Sequence, residues 1–338
     1  MGTRGSLVRL ASVLVAAAAL VGAGCSSDGG GASADTTSTT AGTPGSSGGE
    51  PAGTFTLLSY NVAGLPQEIS DEHPSTNLPL ISPKLAEFDV VATQEDFDWW
   101  AELASGFDFV HYHERLRAEA GHPHRSPQHP GPDAVDLDLS DRPSPEVGDG
   151  LGVLSRFPLR GDERVPWTGC FGGMDTSDGG AGDCLAMKGF QRTTLVLADG
   201  KLVDLYNLHG EAGRTDRDQA LQVEDYRQLA AHIVAHSEGR AVIVAGDTNL
   251  HTGGDHPDGR SGADTEIWER FLADAGLTDA CAAADCPSPE RIDKVAFRSG
   301  GGVGLEVTGH RFRAEDFVDD AGEPLSDHDP LEVTFAWR

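Results

Sequence analysis

Residues 54–62, TFTLLSYNV, alternate between apolar and small or polar side chains and are rich in β-formers, which predicts a strand. Residues 88–95, FDVVATQE, are a second apolar run that ends in polar groups. The next stretch, 96–105, reads as a short helix, and 107–113, FDFVHYH, as a strand. Residues 115–148 are Pro, His, Asp and Gly without a period, a long loop. Strand pattern returns at 149–159, and 189–210 alternate on both sides of Asp199–Gly200, the signature of a hairpin. Residues 215–237 carry helical spacing, with Thr215 as N-cap and Asp218 at the third position. Their apolar face is Val223, Tyr226, Leu229, Ala230, Ile233 and Val234, and Gly239 closes the element. The run 241–246, AVIVAG, is apolar throughout, as in a strand covered on both faces. A further helix is predicted over 265–277, and late strands over 293–298, 304–309 and 331–337. No internal repeat is visible. Strands, hairpins and occasional helices along the whole length predict a layered α+β fold, sheets inside and helices outside, in one domain over 54–338.

The first 25 residues stand apart. Arg4 and Arg9 precede an apolar run over 10–21 and the small residues GAGC, a pattern expected of a secretory signal and too short for a stable membrane span. Cys25 resembles a bacterial lipoprotein acceptor, with Gly22 where Leu is usual; the expectation is a lipid anchor on Cys25, with simple cleavage as the alternative. Residues 26–53 read as a Ser/Gly/Thr tether. Export permits disulfides. With Cys25 set aside, Cys170, Cys184, Cys281 and Cys286 remain. Local bridges Cys170–Cys184 and Cys281–Cys286 suit the even number, although spacing alone does not choose among three pairings.

The formal charge is −29, and loss of Arg4 and Arg9 takes it to −31. No Lys/Arg cluster occurs, so tight binding of a long polyanion is disfavoured, and nucleic acid is expected only as a substrate. A small phosphorylated substrate, or one bound with a divalent cation, fits this charge better.

Several strands end alike, in a carboxylate, amide or histidine: Asn61, Glu95, Asn207 with His209, Asp247 with Asn249, and Asp293 beside Arg291. Asp327 and His328 precede the last strand. Each has a plain alternative: a turn cap for Asn61, a solvated strand end for Glu95, an Asx-turn for Asp247, a bonded loop histidine for His209, an ion pair with Arg291 for Asp293, a polar turn for Asp327 and His328. Strand ends aim side chains rigidly, and adjacent strands can bring them together.

These segments, LSYNVAG, TQED, GLGVLSRFPL, LYNLHGEAG, AGDTNL, RIDKV and LSDHDPL, resemble in their order the endonuclease/exonuclease/phosphatase superfamily, the DNase I-like fold, over about residues 57–335. The resemblance implies a four-layered α/β/β/α sandwich of two packed, mainly antiparallel sheets flanked by helices. It implies phosphoester hydrolysis with a divalent metal: Mg²⁺, or else Mn²⁺, Co²⁺ or Ca²⁺. By the same resemblance Glu95, Asn61 and Asp327 serve the metal. Asp247 orients or deprotonates the attacking water, His328 is the general acid/base with Asp293 fixing its ring, and His209 is a second catalytic histidine. Asn207 and Asn249 hold the phosphate. The chemistry supports these types: hard oxygens suit such a cation, and an imidazole with a carboxylate behind it moves protons near neutral pH.

His209 in NLHGEAG and Lys188 in CLAMKGF are similar to stretches of bacterial sphingomyelinases, where Lys188 would meet a phosphate oxygen or else be a solvated edge lysine. The implied protein is a secreted or lipid-anchored, monomeric phosphodiesterase acting on a phospholipid headgroup. Alternatives are an extracellular deoxyribonuclease, an inositol-polyphosphate phosphatase, and a cell-surface binding domain without activity. Residues 293–307 offer Phe297 but no Trp pair, unlike the aromatic membrane hairpin of that branch. His122, His124 and His129 either cover the substrate or form a weak metal-binding tract.

Overall fold

The computed structural model describes residues 51–338, apart from 69, 71, 103–105, 133–134, 136–144, 174–176, 178, 255 and 258. The expected signal, Cys25 as the expected lipid acceptor, and residues 26–50 of the expected tether lie outside the described residues. Twelve strands among the described residues form two six-stranded sheets. The first contains β1 (Gly53–Asn61), β2 (Val90–Gln94), β3 (His124–Arg125), β4 (Gly152–Ser155), β11 (Leu305–Phe312) and β12 (Leu331–Trp337) in the order β11-β12-β1-β2-β4-β3. The second contains β5 (Leu159–Pro166), β6 (Gly189–Val196), β7 (Leu202–His209), β8 (Ala241–Asp247), β9 (Thr278–Asp279) and β10 (Asp293–Arg298) in the order β5-β6-β7-β8-β10-β9. Only β1/β2 and β7/β8 pair in parallel; the other neighbours are antiparallel.

The two-residue period of each strand divides its side chains between layers. Phe55, Leu57, Val90, Leu205, Ile243, Ala245, Val295, Val333 and Phe335 meet in a core between the sheets. Leu58, Tyr60 and Val91 face outward against α1 (Pro74–Leu85) and α2 (Tyr112–Arg117). Tyr206, Leu208, Val242 and Val244 face outward against α3 (Asp216–His236) and α4 (Ser261–Ala275). A short α5 (Ala280–Ala284) follows β9. The result is the expected four-layered α/β/β/α sandwich. Both expected disulfides, Cys170–Cys184 and Cys281–Cys286, are present.

Helix α3 begins as its sequence predicts. Thr215 and Asp218 form a reciprocal capping box, with Asp218 N donating to Thr215 Oγ1 and Thr215 N donating to Asp218 Oδ2. Val234 departs from its predicted apolar face and is 51% exposed.

Three local expectations are corrected. Residues 96–101 are not helical, while 103–105 lie outside the described residues: Trp99 and Ala101 pair their backbones with residues 146–148, and Trp100 bridges Val147. Residues 108–117 are a 3₁₀ turn running into α2, because Phe109, Tyr112 and Leu116 reach one core at helical spacing. Among the described residues His122, His124 and His129 gather into no metal-binding group: His122 is buried and bonds Phe88 O at 2.9 Å, His124 lies in β3, and His129 is buried with its amide donating to Asp98. Helix α1 gave no legible signal because Pro79 and Pro83 interrupt it; buried Leu78, Ile81 and Leu85 hold it against the sheet despite the lost amides.

Candidate active site

The inter-sheet core runs upward in steps of two residues until it changes chemistry. Phe55 and Leu57 lead to Ser59 and Asn61; Val90 and Ala92 to Gln94; Leu205 to Asn207 and His209; Ile243 and Ala245 to Asp247; Phe297 and Val295 to Asp293. A layer of amides therefore caps the apolar core, and a layer of acids and imidazoles stands above it. Strand pairing sets the upper layer side by side, with His209 opposite Asp247 and Asp247 opposite Asp293. The first sheet supplies Asn61 at the end of β1 and, immediately before β12, His328.

Asp247 Oδ2 is the meeting point. Asn61 Nδ2 donates to it at 3.1 Å, His209 Nε2 lies 3.3 Å away and His328 Nε2 lies 3.6 Å away. Asn61 Nδ2 also donates to Glu95 Oε1 at 3.0 Å. His328 Nδ1 and Asp293 Oδ2 are 2.9 Å apart, so a carboxylate stands behind the ring as required to set its tautomer. Asn249 follows in a left-handed conformation; its backbone N–H donates to Asp247 Oδ1 at 3.0 Å and its Nδ2 to Gly210 O at 3.2 Å. Residues 61, 95, 209, 247, 249, 293 and 328 are thus brought together from both sheets.

The charges are uneven. Burial opposes ionisation of Asp247, but His328 and His209 hold its carboxyl far below the ordinary range. Burial would also depress His328, yet Asp293 and Asp247 outweigh it and raise the ring well above its usual value. Burial in turn pushes the Asp293 carboxyl upward, so the Asp293–His328 pair holds one proton tightly.

The other expected residues fall elsewhere. Asn207 belongs to the lower amide layer: its Nδ2 donates to Thr93 O and Gly152 O, and its Oδ1 accepts from Gln94 Nε2 at 2.7 Å. All its polar atoms are engaged between the sheets, which leaves nothing for a phosphate. Lys188 pairs with Asp183 and donates to Gly210 O at 3.3 Å, at the edge of the cluster. Asp327 is exposed beside His328, with Oδ1 3.4 Å from Ser326 Oγ.

Supporting residues escaped sequence reasoning although they sit inside the motifs. Ser326 donates to Asn61 O at 2.8 Å and accepts from His328 N, joining the last turn to β1. Asp96 accepts from Thr93 Oγ1 and pairs with Arg117 at 2.6 Å and His113 at 2.9 Å. Burial works against its charge, but Arg117 and His113 keep its carboxyl well below the ordinary range. This network fixes the chain just after Glu95, whose φ of 55° is left-handed. A Cβ on Gly64 would stand 2.2 Å from Glu95 O, so only glycine admits that approach.

This arrangement has relatives. A sphingomyelinase of Mycobacterium tuberculosis is 32% identical over 304 residues, covering 84% of this chain and 53% of its own length. The chain therefore spans about half the length of the curated relatives it matches. A humanized D. rerio TDP2 superposes with a TM-score of 0.55 at 18% identity, covering 83% of this chain and 98% of that one. A Staphylococcus aureus beta toxin with bound magnesium ions superposes with a TM-score of 0.52 at 15% identity, covering 83% of this chain and 99% of the toxin. These two likenesses establish the shared fold. Residues 58–328, from β1 to the site's own His328, match the Endonuclease/Exonuclease/phosphatase family. With the fold, the order of the motifs and the matched residues in agreement, the chain belongs to the endonuclease/exonuclease/phosphatase family.

Proposed function

We propose that this protein is a divalent-metal-dependent phosphodiesterase, exported or lipid-anchored, that releases the headgroup of a phospholipid in the manner of a sphingomyelinase. The observation that carries the reading is the sharing of Asp247 Oδ2 by Asn61, His209 and His328, with Asp293 behind His328. The donor chemistry fits a cation. Glu95, Asp247, Asp293 and Asp327 outnumber the basic groups at this rim, and their oxygens are the hard ligands such an ion takes. Glu95 and Asn61, with Asp327 at the outer edge, would hold it. When bound, it neutralises phosphodiester charge and makes its oxygen ligands more acidic.

The chain's own groups then divide the work. Asp247, anionic and fixed by three neighbours, orients the attacking water and accepts toward its proton. His328, kept protonated by Asp293, donates to the leaving oxygen. His209 steadies Asp247 from the opposite side, and Asn249 presents an amide to the phosphate. Mg²⁺ is the ion we assign, as the beta toxin of the same fold carries magnesium. A lipid substrate is favoured by the sphingomyelinase relatives and by a charge of −29 that repels long polyanions. The β10–β11 connection is a tight turn with Val303 buried, so headgroup release is assigned without an inserted hairpin.

The test uses purified protein stripped with chelator and supplied with sphingomyelin vesicles or supercoiled plasmid, with and without MgCl₂. Magnesium-dependent release of phosphocholine with intact plasmid is expected. Plasmid cleavage without phosphocholine release would move the substrate to nucleic acid, and turnover in chelator would remove the metal.

A further inference from the structure

A second group of acids lies behind His209, outside the cluster just described. Asp183, Glu211 and Asp218 are all buried, and each offers an oxygen within 4.8 Å of the others. They come from three separate places. Asp183 opens the 3₁₀ turn Asp183–Leu185, which the Cys170–Cys184 bridge ties down. Glu211 lies two residues beyond His209, and Asp218 is in the first turn of α3. Burying three carboxylates together is costly unless something neutralises them.

Local protein groups neutralise only part of this charge. Asp183 Oδ1 pairs with Lys188, and Oδ2 accepts from Ala212 N at 3.2 Å. Glu211 Oε1 accepts from Phe171 N at 2.6 Å, and Asp218 Oδ2 accepts from Thr215 N at 2.7 Å in the capping box. The second oxygens differ. Glu211 Oε2 and Asp218 Oδ1 are buried and have no hydrogen-bond partner. With all three ionised, one ammonium leaves two negative charges, which a divalent cation would balance; without an ion, burial, Asp183 and Asp225 push the Glu211 carboxyl up to about 10, and it holds a proton instead.

We propose that Asp183, Glu211 and Asp218 bind a structural divalent cation, calcium by its chemistry, at a site distinct from the phosphoester centre. Calcium takes oxygen ligands at about 2.3–2.6 Å in flexible geometry, so two ligands on opposite sides stand roughly 4.8 Å apart. Gly213 closes the loop over the acids: a Cβ there would meet the Asp218 carboxyl at 2.5 Å. The ion would clamp the disulfide loop, the β7–α3 loop and the start of α3 together, and so hold the backbone that follows His209.

The test measures calcium stoichiometry and melting temperature on the purified, chelator-stripped protein, with CaCl₂ as the probe. Glu95→Gln is included to weaken the phosphoester centre, and Glu211→Gln and the double variant Glu211→Gln/Asp218→Asn to remove this one. Calcium at about a hundred times its dissociation constant should raise the melting temperature of the wild type and of Glu95→Gln by about 4–5 °C. Glu211→Gln should lower calcium affinity at least tenfold, and the double variant should lose one bound calcium together with the shift. If the double variant does not fold, Glu211→Gln decides in its place. The proposal is overturned if Glu95→Gln binds no calcium at millimolar concentration, or if Glu211→Gln retains wild-type affinity. Should Glu95→Gln bind as many ions as the wild type while Glu211→Gln loses one, the assignment of Glu95 fails and the second site stands.

Discussion

Asp293→Asn probes the centre of the proposed chemistry. Asp293 is 5% exposed and its Oδ2 lies 2.9 Å from His328 Nδ1. The amide keeps the size and shape of the carboxylate but removes its charge, and it can present either an oxygen or an NH₂ group to the ring. A hydrogen bond to a charged partner is worth about 1.5–3 kcal/mol, which corresponds to about one to two pH units on the ring. His328 stands above its ordinary value because Asp293 and Asp247 raise it, so the ring should lose its proton at lower pH in the variant. If the protonated ring donates to the leaving oxygen, the alkaline limb of the kcat profile should move down by that interval. At neutral pH kcat should fall about 10- to 100-fold, as for carboxylates that orient a working histidine, with KM nearly unchanged. The assay is phosphocholine release from sphingomyelin vesicles between pH 5 and 10 in saturating MgCl₂, with circular dichroism to establish folding. A folded Asp293→Asn with kcat within twofold of wild type and an unmoved alkaline limb would refute the coupling between these two residues.

Three further outcomes follow from the geometry. Gly64→Ala sets a methyl 2.2 Å from Glu95 O, so the backbone must shift; displacement of a catalytic group by about 1 Å costs roughly 100-fold, readable in kcat/KM at temperatures where the variant is folded. Asn207→Ala removes the acceptor of Gln94 Nε2 and the side-chain donor to Thr93 O and Gly152 O, three buried hydrogen bonds between the sheets; stability in urea should fall by on the order of 3 kcal/mol while kcat of the folded enzyme stays near wild type. In chelator, His328→Gln removes a group whose folded value is raised. The stability His328 contributes should therefore be complete below about pH 6.5 and fade as the pH rises through the folded value, and a difference from wild type that grows with pH would contradict this sign.

What the amino-acid sequence determined by itself is what short-range physics controls. Period-two runs such as 54–62 and the wholly apolar 241–246 became β1 and β8, and a Thr215–Asp218 capping box started α3 where a box must start. The polar strand ends were legible because each breaks an apolar run within a few residues. Where neighbours far along the chain make the decision, local pattern was insufficient. Residues 107–113 alternate like a strand but turn helical, because Phe109, Tyr112 and Leu116 must reach the same core, and α1 survives two internal prolines for the sake of Leu78, Ile81 and Leu85. Only the packing of two sheets separates Asn207 from His209, two residues apart on one face. One step along β7 places the amide in the buried brace and the next lifts the imidazole to the rim. The same packing brings Asp183, Glu211 and Asp218 together from segments that share no motif, since the energy of gathering buried charge depends on distances in space that no spacing in the chain encodes.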